Sequence, residues 1–415
     1  MLSLVIPSRN NLKYLQFAYN SIRKHVGNAV EIILLDDAST DGTWEWMKNT
    51  ALNDTEVKVS RNDGPERVGH TVLYDVGVGL AKHDIFGIFH ADMFATPNYV
   101  TNMLKHLKPG MVISGTRIEP PLHPPGPEKF VENFGLEPEE FQEAEFLKFV
   151  SNKEIVHQDK TTKGIFAPWI MYKHDFSAVG GHDKRVFAPM ELEDSDLFNR
   201  FLLKGYELIQ SRDAFVYHMT CRGSRFKDGV KIIQEIPLGN GNVWKRTQDS
   251  EEYTKLRQIK FRDWWRKWHM DVLHDENLMP IVYKRYNIGI VVNNLSYLLL
   301  ESLEPWCDTI YIKEYDCFYD RYIREQQPIS KFNLKDRIKP YDAEKTNDVI
   351  VSFDAKNFDL GTKFDFIRNL SLVLTDSGEV GSLEYDIFRF DIKSLNTYES
   401  NLVDCDNPWY VSQLI

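Results

Sequence analysis

The chain has 415 residues, 42% hydrophobic and 13% aromatic, with a formal net charge of −11. That length accommodates two or more domains of about 100–200 residues each, and the acidic balance lacks the basic footprint of a general nucleic-acid binder. No uninterrupted apolar stretch reaches the ~18 residues that suggest a membrane span.

Leu2 to Ile6 is an apolar run stopped by Pro7, the pattern of a buried strand. In "NNLKYLQFAYNSIRKHV", Leu12, Leu15, Tyr19, Ile22 and Val26 recur at helical spacing and predict one buried face. "EIILLDDASTDGT" predicts a second strand, Glu31 to Leu35, ending in Asp36 and Asp37. Thr40 and Asp41 are capping types ahead of the helix "TWEWMKNTAL". "EVKVSRND", "GHTVLYDVGVGLAK" and "IFGIF" continue as strand, helix and strand. This alternation predicts an α/β fold with a parallel sheet. Ligands bind such sheets outside the carboxyl ends of the strands, where His90, Ala91 and Asp92 follow the fourth strand. A carboxylate beside an imidazole can hold a divalent cation against a diphosphate, although a strand that simply stops in a polar loop gives the same triplet.

Residues 119–165 form a Pro-rich, acidic insertion. The prolines from Pro120 to Pro127 exclude regular helix or sheet interior, and Glu137 to Val150 predicts an acidic amphipathic helix. An acceptor-facing element and a plain surface insertion both stay open. In "ELEDSDLFNRFLLKG", Glu193 and Asp194 precede a helix with Leu197, Phe198, Phe201 and Leu202 facing inward, and Gly205 ends it. Asp196 and Arg200, four apart, predict a structural ion pair. Glu191, Glu193, Asp194 and Asp196 crowd together, so mutual repulsion can raise one pKa, while one or two of them can simply serve the helix dipole.

Residues 246–279 predict a helical connector in which Phe261, Trp264, Trp265 and Trp268 alternate with Lys260, Arg262, Arg266 and Lys267. Packing on the first domain with a solvated basic edge is one reading, and contact with an anionic membrane surface is the other. From residue 280 to 415 a second α/β pattern follows. Asn293, Asn294, Leu295, Tyr297 and Leu298 echo Asn10, Asn11, Leu12, Tyr14 and Leu15. "DTIYIKEY" then stands where "EIILLDDA" stood, with Lys313 and Glu314 in place of the aspartates, and further strands are expected at "DVIVSFD", "LSLVLTD" and "YDIFRFDI".

Taken in order, "LVIPSRNN", "EIILLDDASTDGT", "FGIFHADM", "AVGGHDKRVFAPMELEDSDLFNRFLLKGY" and "FVYHMTCRGS" resemble the successive motifs of family 2 glycosyltransferases. The resemblance implies an α/β fold, a GT-A (Rossmann-like) nucleotide-diphospho-sugar transferase domain over residues 1–245, and the echo of Asn10–Leu15 in Asn293–Leu298 suggests that the second, smaller α/β domain is a degenerate GT-A-like half. It implies inverting transfer from a nucleotide-sugar, with a UDP-sugar the expected donor, to a hydroxyl of a glycan or lipid-linked acceptor. By the same resemblance Asp194, beside Glu193, is the general base, and Asp92 and His218 are metal ligands. Pro7, Arg9, Asp36, Asp37, Arg67, His90, Asp92 and Gly181 are donor-binding. His90 departs from the family's D-x-D motif, which favours Mn2+ over Mg2+ and leaves room for a catalytically inactive nucleotide- or glycan-binding protein of the same descent. A core-bonded histidine is the plain alternative for His218. A nucleotidyltransferase would want a Gly-rich loop after the first strand, and "PSRNNLKY" has no glycine.

Cys221, Cys307, Cys317 and Cys405 show no close metal-ligand spacing and read as reduced thiols. "MLSLVIPSRN" is too short in its apolar part for a signal peptide. The expectation is a cytoplasmic protein without nucleic-acid partners; peripheral membrane contact and homo-oligomerisation stay open.

Overall fold

The computed structural model describes residues 1–221, 223, 231–238 and 243–397. Arg222 and Ser224 of the "FVYHMTCRGS" motif, and Cys405, lie outside the described residues. The chain divides into two compact units: Met1–Thr254 with His274–Pro280, and Lys255–Leu273 with the described chain from Ile281 onward.

The first unit runs β1 (Leu2–Ser8), α1 (Leu12–His25), β2 (Val30–Asp37), α2 (Thr43–Asn53), β3 (Val57–Asn62), α3 (His70–Leu80) and β4 (Ile85–Ile88). It continues β5 (Met93–Ala95), α4 (Tyr99–Leu104), β6 (Met111–Glu119), β7 (Lys129–Val131), α5 (Glu143–His157), β8 (Thr161–Lys163) and β9 (Trp169–Tyr172). After these come α6 (Lys173–Ala178), α7 (Lys184–Phe187), α8 (Glu193–Leu203), β10 (Glu207–His218) and a hairpin of β11 (Ile232–Pro237) and β12 (Val243–Thr247). The ten-stranded sheet has the order β3-β2-β1-β4-β9-β6-β10-β5, with β7 on β6 and β8 on β10. β1 to β4 are parallel, and the strand order reverses between β1 and β4, the switch point beside which such sheets bind ligands.

Every residue of β2 is buried, as expected of a parallel strand covered on both faces. α3 lies so close to β1 that a Cβ on Gly77 would come within 2.3 Å of Val5 Cγ1, so only glycine fits there. α1 buries Leu15 and Ile22 as expected, but its inner stripe continues through Tyr14, Ala18 and Ser21, leaving Leu12, Tyr19 and Val26 half-buried. Gly42 is the N-cap of α2, and Asp41 just before it accepts from Thr43 N at 3.1 Å through Oδ1. Asp196 and Arg200 pair at 2.9 Å, both wholly buried.

The segment 119–165 adds two strands to the sheet and a few side chains to the core, while β8 and most of α5 remain exposed or half-buried. β7 extends the sheet through β6, β8 pairs with β10, and Phe146 and Val150 of α5 pack with Phe94, Phe215 and Tyr217. The acidic helix begins at Glu143, later than expected, after a short 3-10 turn at Pro138–Glu140.

The segment 246–279 forms no separate body. α9 (Glu251–Trp268) passes into the second unit from Lys255 on. The basic edge expected to be solvated is inside: Lys260, Arg266 and Lys267 are buried, as are Trp264 and Trp268. Arg266 meets Glu304 at 2.8 Å and Arg337 meets the same carboxylate at 2.5 Å. Trp265 stacks on Trp306 with ring centroids 5.1 Å apart. No described helix is long and apolar enough to cross a membrane.

The second unit runs β13 (Ile288–Asn293), α10 (Tyr297–Leu303), β14 (Thr309–Ile312), α11 (Tyr315–Gln326), β15 (Ile338–Pro340) and β16 (Val349–Asp354). It closes with α12 (Thr362–Arg368), α13 (Leu370–Ser377), β17 (Gly381–Tyr385) and β18 (Phe388–Ile392). Its sheet has the order β15-β14-β13-β16-β18-β17. The expected strand "LSLVLTD" is helix α13 instead. Its buried residues Leu370, Ser371 and Leu374 follow a helical period, and Gly378 closes the last turn in the left-handed region, φ 62°, donating to Leu374 O. Periodicity alone does not separate a short buried strand from a buried helix.

Candidate functional site

Two clusters of titratable side chains meet at the carboxyl ends of the first sheet. β10 ends at His218, in register with Met93 of antiparallel β5, and Met219 N donates to Asp92 O at 3.0 Å. This pairing sets Asp92 beside His218, with His218 Nε2 3.4 Å from Asp92 Oδ1. The His90 ring packs against His218 with centroids 5.5 Å apart. One potential ligand atom from each of His90, Asp92 and His218 lies within 4.8 Å of the others.

Burial alone would lower the His218 imidazole, but Asp92 and Glu119 outweigh it and hold the pKa up at about 9. His90 is pushed down to about 3, first by burial and then by His218. It is therefore neutral, the form in which imidazole ligates metals. Asp92, although buried, is held below the ordinary carboxylate value, chiefly by the His218 charge.

The second cluster sits where α8 begins. Glu191 and Leu192 adopt left-handed φ values of 83° and 66°, a conformation unfavourable for residues other than glycine and concentrated at functional sites. The turn rests on the start of α3: a Cβ on Gly69, φ 81°, would lie 1.9 Å from Pro189 O, and Thr71 Oγ1 donates to that oxygen at 3.2 Å. His70 Nε2 pairs with Glu193 Oε1 at 2.5 Å, and the Tyr253 hydroxyl bonds to Glu191. Glu193 is buried, whereas Asp194 reaches solvent. Desolvation by the walls around it, then the charges of Glu193 and Glu191, raise Asp194 to about 7. The like charges are the firmer cause, since water still reaches the carboxyl.

One phenol links the clusters. Burial, then Glu193, Asp194 and Asp92 together push the Tyr74 hydroxyl far above its ordinary range, so all three acids lie within electrostatic reach of one atom. Tyr74 also stacks on His182, centroids 5.6 Å apart.

The remaining expected donor residues fall into two sets. Arg9 donates to Asp37 O, Arg67 Nε lies 4.0 Å from Asp37 Oδ2, and the two guanidiniums are close enough for Arg9 to lower the Arg67 pKa, after burial and Asp37 have acted. These arginines come together at the crevice, where Pro7 occupies the end of β1. The acidic pair does not face it openly. Asp37 accepts from Asn62 Nδ2, Val68 N and Gly69 N at 2.8, 2.9 and 2.9 Å and so braces the 62–69 loop. Asp36 is wholly buried against Arg61 at 3.0 Å. Gly181, φ 69°, donates to Phe176 O at 3.1 Å in a turn fixed by His182 Nδ1 to Asp75 at 2.7 Å; its amide is occupied by the turn.

Sequence reasoning missed His70, Tyr74 and Glu119. His70 and Tyr74 are four apart just after a predicted strand end, a spacing that puts both on one helix face. Glu119 carried no such signal, since its role depends on strand pairing across 99 residues.

Residues 3–163 match the model of glycosyl transferase family 2. The chain is similar to glycosyltransferase GlyG of Streptococcus pneumoniae serotype 4, at 27% identity over 108 residues, covering 26% of this chain and 35% of that protein. It is also similar to an undecaprenyl-phosphate mannosyltransferase of Micrococcus luteus, at 25% identity over 117 residues, covering 28% of this chain and 48% of that protein. The chain thus spans less than half the length of either curated relative. Among solved structures, the mannosyltransferase PcManGT from Pyrobaculum calidifontis in complex with GDP-Man and Mn2+ aligns at TM-score 0.39 and 17% identity, over 54% of this chain and 58% of that one. GalNAc-T7 with UDP, GalNAc and Mn2+ aligns at TM-score 0.40 and 14% identity, over 52% and 43%.

Proposed function

We propose, from the match of residues 3–163 to the model of glycosyl transferase family 2, an inverting, metal-assisted transfer of a sugar from a nucleoside diphosphate to an acceptor hydroxyl. The observation that carries this reading is the cluster of His90, Asp92 and His218 at the carboxyl ends of the sheet, with a potential ligand atom of each within 4.8 Å of the others. Asp92, His218 and His90 would hold the cation, His218 giving up its Nε2 proton as the metal binds. Two imidazoles and one carboxylate suit Mn2+ better than Mg2+, which prefers all-oxygen sites. A bound divalent cation neutralises the departing diphosphate as a Lewis acid.

The chain's own residues supply the rest. Asp194, raised to about 7, is matched to take a proton near neutral pH. It accepts the acceptor's hydroxyl proton as that oxygen bonds to the anomeric carbon; the carbon–oxygen bond to the diphosphate breaks, and the configuration inverts. Glu193, ion-paired to His70, keeps like charge beside Asp194. Arg9 and Arg67 offer positive charge toward the phosphates or the base edge. The donor nucleotide, with UDP the first to try, and the glycan or lipid-linked acceptor belong to this proposal.

Turnover of a panel of nucleotide-sugars with and without Mn2+, in wild type and Asp194→Asn, tests it. The variant is expected to lose about 10²–10⁴-fold in kcat while still binding the nucleotide. Nucleotide binding without turnover of any donor by the wild type would favour the inactive-binder reading that His90 first raised.

A further inference from the structure

The candidate cation site has a carboxylate behind it. β6 and β10 are parallel, with Tyr217 opposite Ile118, so their next residues, His218 and Glu119, stand side by side at the carboxyl ends. His218 Nδ1 lies 2.7 Å from Glu119 Oε1, while the other ring nitrogen faces Asp92. Glu119 is only 1% exposed and is itself gripped: Lys129 Nζ stands 2.9 Å from Oε2 and Arg117 Nε 3.2 Å from Oε1. Glu128 completes the cluster, 3.0 Å from Arg117 and 3.3 Å from Lys129. Lys129 is delivered by β7, so the 119–165 segment reaches the site through this contact.

Buried ion groups are often no more stabilising than apolar packing of the same volume, so stability alone does not account for four charges here. An imidazole that ligates through Nε2 carries its proton on Nδ1, and a carboxylate that accepts this proton fixes both the tautomer and the ring plane. We propose that Glu119, held by Lys129 and Arg117, is a positioning residue that presents His218 Nε2 to the divalent cation. The inference rests on reading His90, Asp92 and His218 as the cation site.

Removing Glu119 alone would leave Lys129 and Arg117 with Glu128 as their one shared carboxylate, so two charge-balanced double variants of the full chain are compared. Glu119→Gln with Lys129→Met keeps an oxygen that can accept from Nδ1. Glu119→Leu with Lys129→Met keeps none. Mn2+ affinity is read from the electron paramagnetic resonance signal of free Mn2+ during titration, beside the thermal midpoint of each protein. The Leu pair is expected to bind Mn2+ about 10–100-fold more weakly than wild type, the Gln pair is expected to fall between them, and the two variants should melt together. Leu and Gln pairs that both bind like wild type would overturn the positioning role while leaving the cation site standing. Asp92→Asn is run alongside. Unchanged Mn2+ binding in that variant would remove the cation site itself, and this inference with it.

Discussion

Asp194 carries its carboxyl into a concentration of like charge. A folded pKa of about 7, against 3.8 for the ordinary side chain, has two measurable consequences. As a general base it must be ionised, so kcat/KM should climb with pH through about 7 to a plateau, and a profile flat from pH 5 to 8 would remove Asp194 from the role. The second consequence is on stability. Because the folded pKa is raised, the fold favours the protonated acid, and ionisation opposes folding increasingly as pH rises from the unfolded value toward the folded one. Asp194→Asn should therefore raise the thermal midpoint at pH 8, and the gain should shrink as pH is lowered through 7 toward 4. Opposite effects on activity and stability at one position mark a site held against its own preference.

The elements that carry the site were legible to different degrees. β1 and β2 announced themselves as continuous apolar runs, which is what burial on both faces requires. Asp92, just past β4, and His218, the last residue of β10, stand at the sheet's carboxyl edge because each follows such an apolar run. "LSLVLTD" gave no such guidance, because seven residues suit either period until Gly378 and the packing of Leu370 and Leu374 decide. The opening of α8 was readable as an acidic helix start, but its seat on α3 was not, since the Gly69–Pro189 contact spans 120 positions. Gly69→Ala should push the Pro189–Leu192 turn off α3 and lower turnover while the nucleotide still binds; unchanged kinetics would show that α8 holds its acids without this contact. The role of α5 can be read in stability. Phe146 is wholly buried among Phe94, Phe134, Phe141 and Tyr217, so Phe146→Ala should cost about 3–5 kcal/mol in urea unfolding. A loss below about 1 kcal/mol would return the segment to the surface role first allowed for it.

At the scale of the molecule, two sheets repeat one plan. The order β15-β14-β13-β16 matches β3-β2-β1-β4 strand for strand, and an antiparallel neighbour follows the fourth strand in each. Each first strand leads into an asparagine in the left-handed region, Asn10 at φ 49° and Asn294 at φ 57°, so the conformational partner of Asn10 is Asn294, one place beyond the alignment suggested by sequence. The strand ends differ. The second sheet presents Lys313, Glu314 and Asp354, and among the described residues the only His/Asp/Glu group close enough to share an ion is the one in the first unit. Calorimetric titration should accordingly find one nucleoside diphosphate per chain, and two equivalents would assign a site to the second sheet as well. Thermal stabilisation of the full chain by a panel of nucleoside diphosphates, each with and without Mn2+, in wild type and Asp92→Ala, tests the metal-assisted donor site most directly. A ligand present at 100 times its Kd adds about 2.7 kcal/mol to the folded state. One nucleotide should raise the midpoint of the wild type, Mn2+ should enlarge the shift, and Asp92→Ala should abolish the enlargement. No shift with any nucleotide, or a Mn2+ effect that survives in Asp92→Ala, would contradict that assignment.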